Sequence, residues 1–134
     1  MGVPRMIKWR EDYSIGVESI DQQHKHLIEI AGRVYDTLKN QFYMDKYDKI
    51  VEILKELEDY TIYHFGEEEK FMKEIGYEGY FMHKIEHQKF IEKIQSIDLE
   101  NIDGEQDKYL LDIFNFIADW LVYHILEKDK AIIK

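Results

Sequence analysis

Apolar residues recur at steps of three and four along most of this chain, the spacing of a helix that buries one face. The first such run holds Ile20, His24, Leu27, Ile28, Ala31, Tyr35 and Leu38, and Asn40 and Gln41 break it. The second passes through Ile50, Leu54, Leu57, Thr61, His64 and Glu68 to about Ile75. Gly66 lies inside it, a sign of a loosened turn or a close helix contact. Gly76 and Gly79 bracket the next break, and the third run holds His83, His87, Phe90, Ile94 and Ile97. A polar loop from Asp98 to Asp107, with Gly104 in it, leads to a fourth run of Leu110, Ile113, Phe114, Ile117, Leu121 and His124. Residues 1–17 carry the only proline, Pro4, and read as an irregular arm anchored by Trp9 and Tyr13.

No strand-like alternation interrupts this pattern. It predicts an all-α fold: an antiparallel up-down-up-down four-helix bundle with an irregular N-terminal arm. The helices are expected at about 18–39, 45–75, 80–97 and 106–127, within a single domain over 1–134.

Composition narrows the function. Eighteen Lys and Arg stand against 28 Asp and Glu, so the chain offers no basic footprint for nucleic acid and no basic cluster for anionic lipid. With 0 cysteines, disulfides, iron–sulfur clusters and thiolate zinc sites are excluded. No apolar run suits a signal peptide or a membrane span, so no membrane association and a cytoplasmic location are expected.

The chemistry lies in what the apolar stripes contain. Of 6 histidines, five fall on them: His24, His64, His83, His87 and His124. A single histidine on such a face is usually a hydrogen-bonded core residue, but five spread over four helices point to one shared purpose. His26 is the contrast, since it sits about 200° round the helix from His24, on the side of Glu29 and Arg33. His83 and His87, at i and i+4, can grip one metal ion. His64 and Glu68 have the same spacing, and a carboxylate among leucines is costly unless it is paired or bound to metal. Glu67 and Glu69 flank Glu68 at about 100° to either side, toward solvent or the bundle margin. Asp129 follows His124 by five residues, about 140° away on a regular helix, so it reaches the same site only through a widened turn. By spacing alone it reads more readily as a charge on a solvated tail between Lys128 and Lys130. Imidazoles mixed with carboxylates suit iron, zinc, copper or manganese rather than calcium or magnesium.

Four segments together resemble the hemerythrins, specifically the single-domain bacterial ones. They are Ile20-Asp21-Gln22-Gln23-His24; His64-Phe65 with Glu68-Glu69 and Met72; His83-Lys84-Ile85-Glu86-His87 with Phe90; and Trp120-Leu121 with His124-Ile125 and Asp129. Trp9, Tyr13 and Gly16-Val17 resemble the family's N-terminal arm. The resemblance implies two iron ions in an oxo- or hydroxo-bridged non-haem centre. His83, His87 and His124 would bind one iron and His24 and His64 the other, with Glu68 and Asp129 bridging them. It implies reversible binding of dioxygen at the iron held by His24 and His64, for storage or for delivery to an oxygen-consuming enzyme. Leu121, Ile28 and Trp120 are the candidate pocket residues. Alternatives within the family are an oxygen- or redox-sensing domain and an enzyme reducing peroxide or nitric oxide. His83-Lys84-Ile85-Glu86-His87 also fits the short inverted zinc-peptidase motif, which leaves His24, His64 and Glu68 unexplained. The Glu-x-x-His pairs of ferritin-like di-iron proteins are absent.

Overall fold

The computed structural model describes residues 7–39, 46–97 and 106–133, with side chains described from 48 and 111 onward in the last two stretches. Four long helices make up most of it: α1 (Glu18–Lys39), α2 (Lys46–Glu74), α3 (Tyr80–Gln95) and α4 (Gln106–Tyr123). A π-helical turn, His124–Asp129, and a short helix, α5 (Lys130–Ile132), continue α4. Pro4, the break at Asn40–Gln41 and the loop around Gly104 lie outside the described residues. The fourth helical stretch therefore runs past the expected end near 127, because buried Ile125 and Ile132 hold its last turns on the bundle.

Cross-helix pairs show the direction of packing. Gln23 meets His64 and Arg33 meets Glu56, so α1 and α2 run antiparallel. Glu69 meets His87 across the short α2–α3 turn. Phe90 stacks on Trp120, and Lys93 lies over Phe116, so α3 and α4 are antiparallel too. Tyr35 beside Phe114, with His24 beside Asp129, closes the ring between α1 and α4. The bundle core is filled by Leu27, Ile30, Ile50, Ile53, Leu57, Phe90, Phe114 and Ile117, all essentially inaccessible.

Local chemistry fixes the ends that matter to the site. Gly76 adopts φ 68°, where a side chain would be strained, and ends α2. Its N–H bonds to Lys73 O, and that of Tyr77 reaches back to Met72 O, the paired bonds of a glycine-terminated helix. The arm is tied down by Asp21 in the first turn of α1, which accepts from Ile15 N and from the Ser14 hydroxyl. Tyr13 is buried as expected, but Ile7 and Ile15 are buried with it, while Trp9 packs edge-on against Tyr13 and is only partly covered. Gly66 is neither a loosened turn nor a close contact: it is exposed in unbroken helix, and a Cβ there would meet nothing within 4 Å.

Candidate metal centre

Seven side chains from all four helical stretches converge in the bundle interior, and each is at least 96% inaccessible: His24, His64, Glu68, His83, His87, His124 and Asp129. They form two sets of potential ligands. One comprises Glu68, His83, His87, His124 and Asp129; the other comprises His24, His64, Glu68 and Asp129. The two carboxylates belong to both.

Each carboxylate divides its oxygens between the sets. Glu68 Oε1 stands 2.8 Å from His83 Nε2 and 3.1 Å from His87 Nε2. Its Oε2 stands 3.4 Å from His24 Nε2 and 3.3 Å from His64 Nε2. Asp129 Oδ1 is 3.0 Å from His83 and 3.1 Å from His124, while Oδ2 is 2.9 Å from His24. Asp129 reaches this position through the π-helical turn, in which Lys130 N–H bonds to Ile125 O, five residues back. The extra residue in that turn brings Asp129 round to the face of His124.

The inner atoms cannot satisfy one another. His124 Nε2 lies 3.0 Å from His83 Nε2 and 3.2 Å from His87 Nε2. A ring nitrogen carries either one proton or one lone pair, so it cannot bond to both neighbours and to the carboxylates as well. Among the described residues, the inward His24 Nε2, Glu68 Oε2 and both Asp129 oxygens are buried without a hydrogen-bond partner. Buried polar atoms without partners call for an ion. Metal bonds of about 2.1 Å put neighbouring donors about 3 Å apart around an octahedral ion, and the observed separations cluster at that value. The donor set thus fits two cations of the transition series.

The charges of the cluster perturb one another. Burial opposes a charge on His24, but Asp129 and Glu68 outweigh it and push the imidazole up to about 9. The same balance pushes His83 up to about 9 and raises His124. For His64 burial prevails, and its value falls below the ordinary 6.5. Burial also works against ionisation of Glu68 and Asp129, yet the surrounding histidines hold both below the usual carboxylate range.

Around this core lies a shell of orienting groups. Phe65 stacks on His87 at 3.7 Å and 4°, and Trp120 stacks on His124 at 4.4 Å and 10°. Trp120 therefore sits against the three-histidine set, away from His24 and His64. Ile28, one turn along α1 from His24, and Leu121, three residues before His124, are both buried in the adjoining apolar core. With Nε2 turned inward, the Nδ1–H groups point outward: His64 donates to Gln23 Oε1 at 2.7 Å and His87 donates to Glu69 Oε2 at 2.9 Å. Glu69 lies at the bundle margin, as helix phase suggests, but it turns inward to accept a hydrogen bond from a candidate ligand, which helix phase does not show. The nearest signal in the sequence was its match to the second-helix motif beside Glu68. His26 is partly exposed, against the Tyr60 ring.

Comparison with known proteins agrees with this geometry. Residues 15–134 match the family model for the hemerythrin HHE cation binding domain. The chain is 45% identical over 128 residues to a bacteriohemerythrin of Clostridium acetobutylicum, covering 96% of this chain and 99% of that one. It is 30% identical over 119 residues to a bacteriohemerythrin of Methylococcus capsulatus, covering 89% and 87%. It is 29% identical over 123 residues to a myohemerythrin of Sipunculus nudus, covering 92% and 88%.

Proposed function

The chain belongs to the hemerythrin family and has the di-iron, oxygen-binding function of that type; from this premise we propose that it binds dioxygen reversibly, to store or deliver it in the cytoplasm. We assign His83, His87 and His124 to one iron, His24 and His64 to the other, and Glu68 and Asp129 as bridges. The observation that carries this assignment is the division of each carboxylate, one oxygen toward each histidine set.

When bound, the two irons supply a reversible exchange of two electrons with dioxygen. The protein's part is to hold that pair and keep water away. Two carboxylates would offset part of the metal charge in an interior that would otherwise reject it, and five neutral imidazoles would supply lone pairs without adding charge. Ile28 and Leu121 contribute hydrocarbon to the buried core next to His24 and His124. Such hydrocarbon side chains supply no proton, and cleavage of an O–O bond would need one, so they would favour release of dioxygen over its reduction. Among the described residues no helix is long and apolar enough to cross a membrane.

The test is metal content with absorption spectroscopy. About two irons per chain are expected, with a charge-transfer band that appears when the reduced protein meets air and bleaches when oxygen is removed. Irreversible oxidation in a single exposure would count against the proposal. On this view the chain is a binding protein rather than an enzyme. Turnover of peroxide or nitric oxide by a centre that keeps its iron would overturn that part. Delivery would require a dioxygen-consuming enzyme as recipient.

A further inference from the structure

The candidate ligands are not backed alike on their outer sides. In the three-histidine set, His87 Nδ1 faces Glu69 Oε2 at 2.9 Å, and His124 Nδ1 faces Glu86 Oε2 at 3.5 Å. In the two-histidine set, His64 Nδ1 meets the neutral amide oxygen of Gln23 at 2.7 Å, and His24 Nδ1 is buried without a hydrogen-bond partner. Carboxylates thus stand behind His87 and His124, whereas His64 has a neutral amide and His24 has no hydrogen-bond partner at Nδ1 among the described residues.

This difference has a chemical consequence. A carboxylate that accepts Nδ1–H draws the proton outward and leaves more electron density on Nε2, making the imidazole a stronger donor to a metal. An amide oxygen fixes the same tautomer with much less of that effect, since hydrogen bonds to charged groups are roughly twice as strong as neutral ones. Of the two carboxylates, Glu69 is better placed. It is closer to its histidine, and only 19% of its side chain is exposed, against 33% for Glu86. Glu86 also shares its charge with Lys128 at 3.3 Å.

We propose that Glu69, with Gln23 as its neutral counterpart, makes the two metal positions unequal in donor strength, so that the position beside His83, His87 and His124 favours the more highly charged ion. Glu69 is a positioning residue that acts through His87. The identity of the metal rests on the functional reading above, whereas the unequal hydrogen bonding does not. The adjacent Glu68 and Glu69 thereby divide two tasks: one carboxylate contacts both histidine sets, and the next contacts the back of a histidine.

Glu69→Gln and Gln23→Glu test this, because each keeps an oxygen acceptor of similar shape while moving one charge. In zinc-loaded protein, NMR should show the His87 Nδ1–H proton strongly deshielded, losing that shift in Glu69→Gln, while the His64 Nδ1–H proton gains it in Gln23→Glu. In iron-loaded protein at one fixed applied potential, Glu69→Gln should lower the ratio of oxidised to reduced centres by about tenfold, and Gln23→Glu should raise it. Glu69→Leu, which removes the acceptor, should weaken zinc binding by about 10- to 100-fold. The proposal is overturned if the His87 proton does not move in Glu69→Gln, or if the two exchanges shift the redox ratio in the same direction or not at all. Wild-type protein holding far fewer than two irons would strike the functional reading alone, because the zinc spectra and affinities decide the asymmetry independently.

Discussion

Asp129 Oδ1 lies 3.1 Å from Nε2 of His124, a residue five positions earlier on the same helical stretch. A regular helix would hold these side chains well apart, and the π-helical turn from His124 to Asp129 removes the difference. Since Asp129 also meets His24 at 2.9 Å, it touches both histidine sets at once. Asp129→Asn should therefore impair both positions. Iron content is expected to fall well below two per chain, with an affinity loss of at least about tenfold. Elemental analysis after desalting checks this, and a full complement of iron would show that Asp129 is dispensable.

The helices and the inward histidines were legible because both follow from a period of 3.6, which survives any tertiary detail. His24 is buried and His26 half-exposed, as their opposite phases require. Asp129 was not legible from spacing, because a widened turn changes the phase itself. Its identification required the match to a known motif. Glu69 was not legible for a different reason. Angle on a wheel describes where a Cβ points, whereas a glutamate side chain is long enough to curl back to an imidazole on the neighbouring helix. The end of the fourth stretch was also misjudged, since charged Glu127, Lys128 and Lys130 mask the buried Ile125 and Ile132.

Phe65 is 2% exposed, stacks on His87, and touches the rings of Phe90 and Trp120. Replacing it by alanine removes a core ring and the flat support of a candidate ligand together. Phe65→Ala should cost about 3–5 kcal/mol of stability. Denaturant titration measures the loss. A smaller cost, below about 1 kcal/mol, would mean that the aromatic cluster closes over the gap.

Gly66 offers an opposite expectation. It lies in the interior of α2 with helical neighbours, no positive φ and open space where a Cβ would go. Glycine there carries an entropic cost that no contact offsets. Gly66→Ala should raise stability by about 1 kcal/mol, seen as a higher melting temperature with iron content unchanged. No gain, or a loss of iron, would show that this helix must bend there.

The metal-free protein should respond to pH in a direction set by its buried pairs. His24 and His83 sit at about 9 in the fold against an ordinary 6.5. A raised value means that the folded state binds the proton more tightly, so this contribution is complete below about 6.5 and is lost as pH rises through about 9. Glu68 and Asp129 are lowered, so their contribution is present above the ordinary carboxylate range and is lost on acidification. His64, lowered by burial, likewise penalises the fold in acid. Stability without metal should therefore fall from pH 6.5 to 9. With iron bound, the imidazoles must be deprotonated, so proton competition eases across that range and binding strengthens. The gap in melting temperature between iron-loaded and metal-free protein should widen from pH 6.5 to 9, with the loaded form higher at both. Parallel thermal scans at the two pH values measure it, and a constant gap would mean that the histidines do not hold these protons in the metal-free fold.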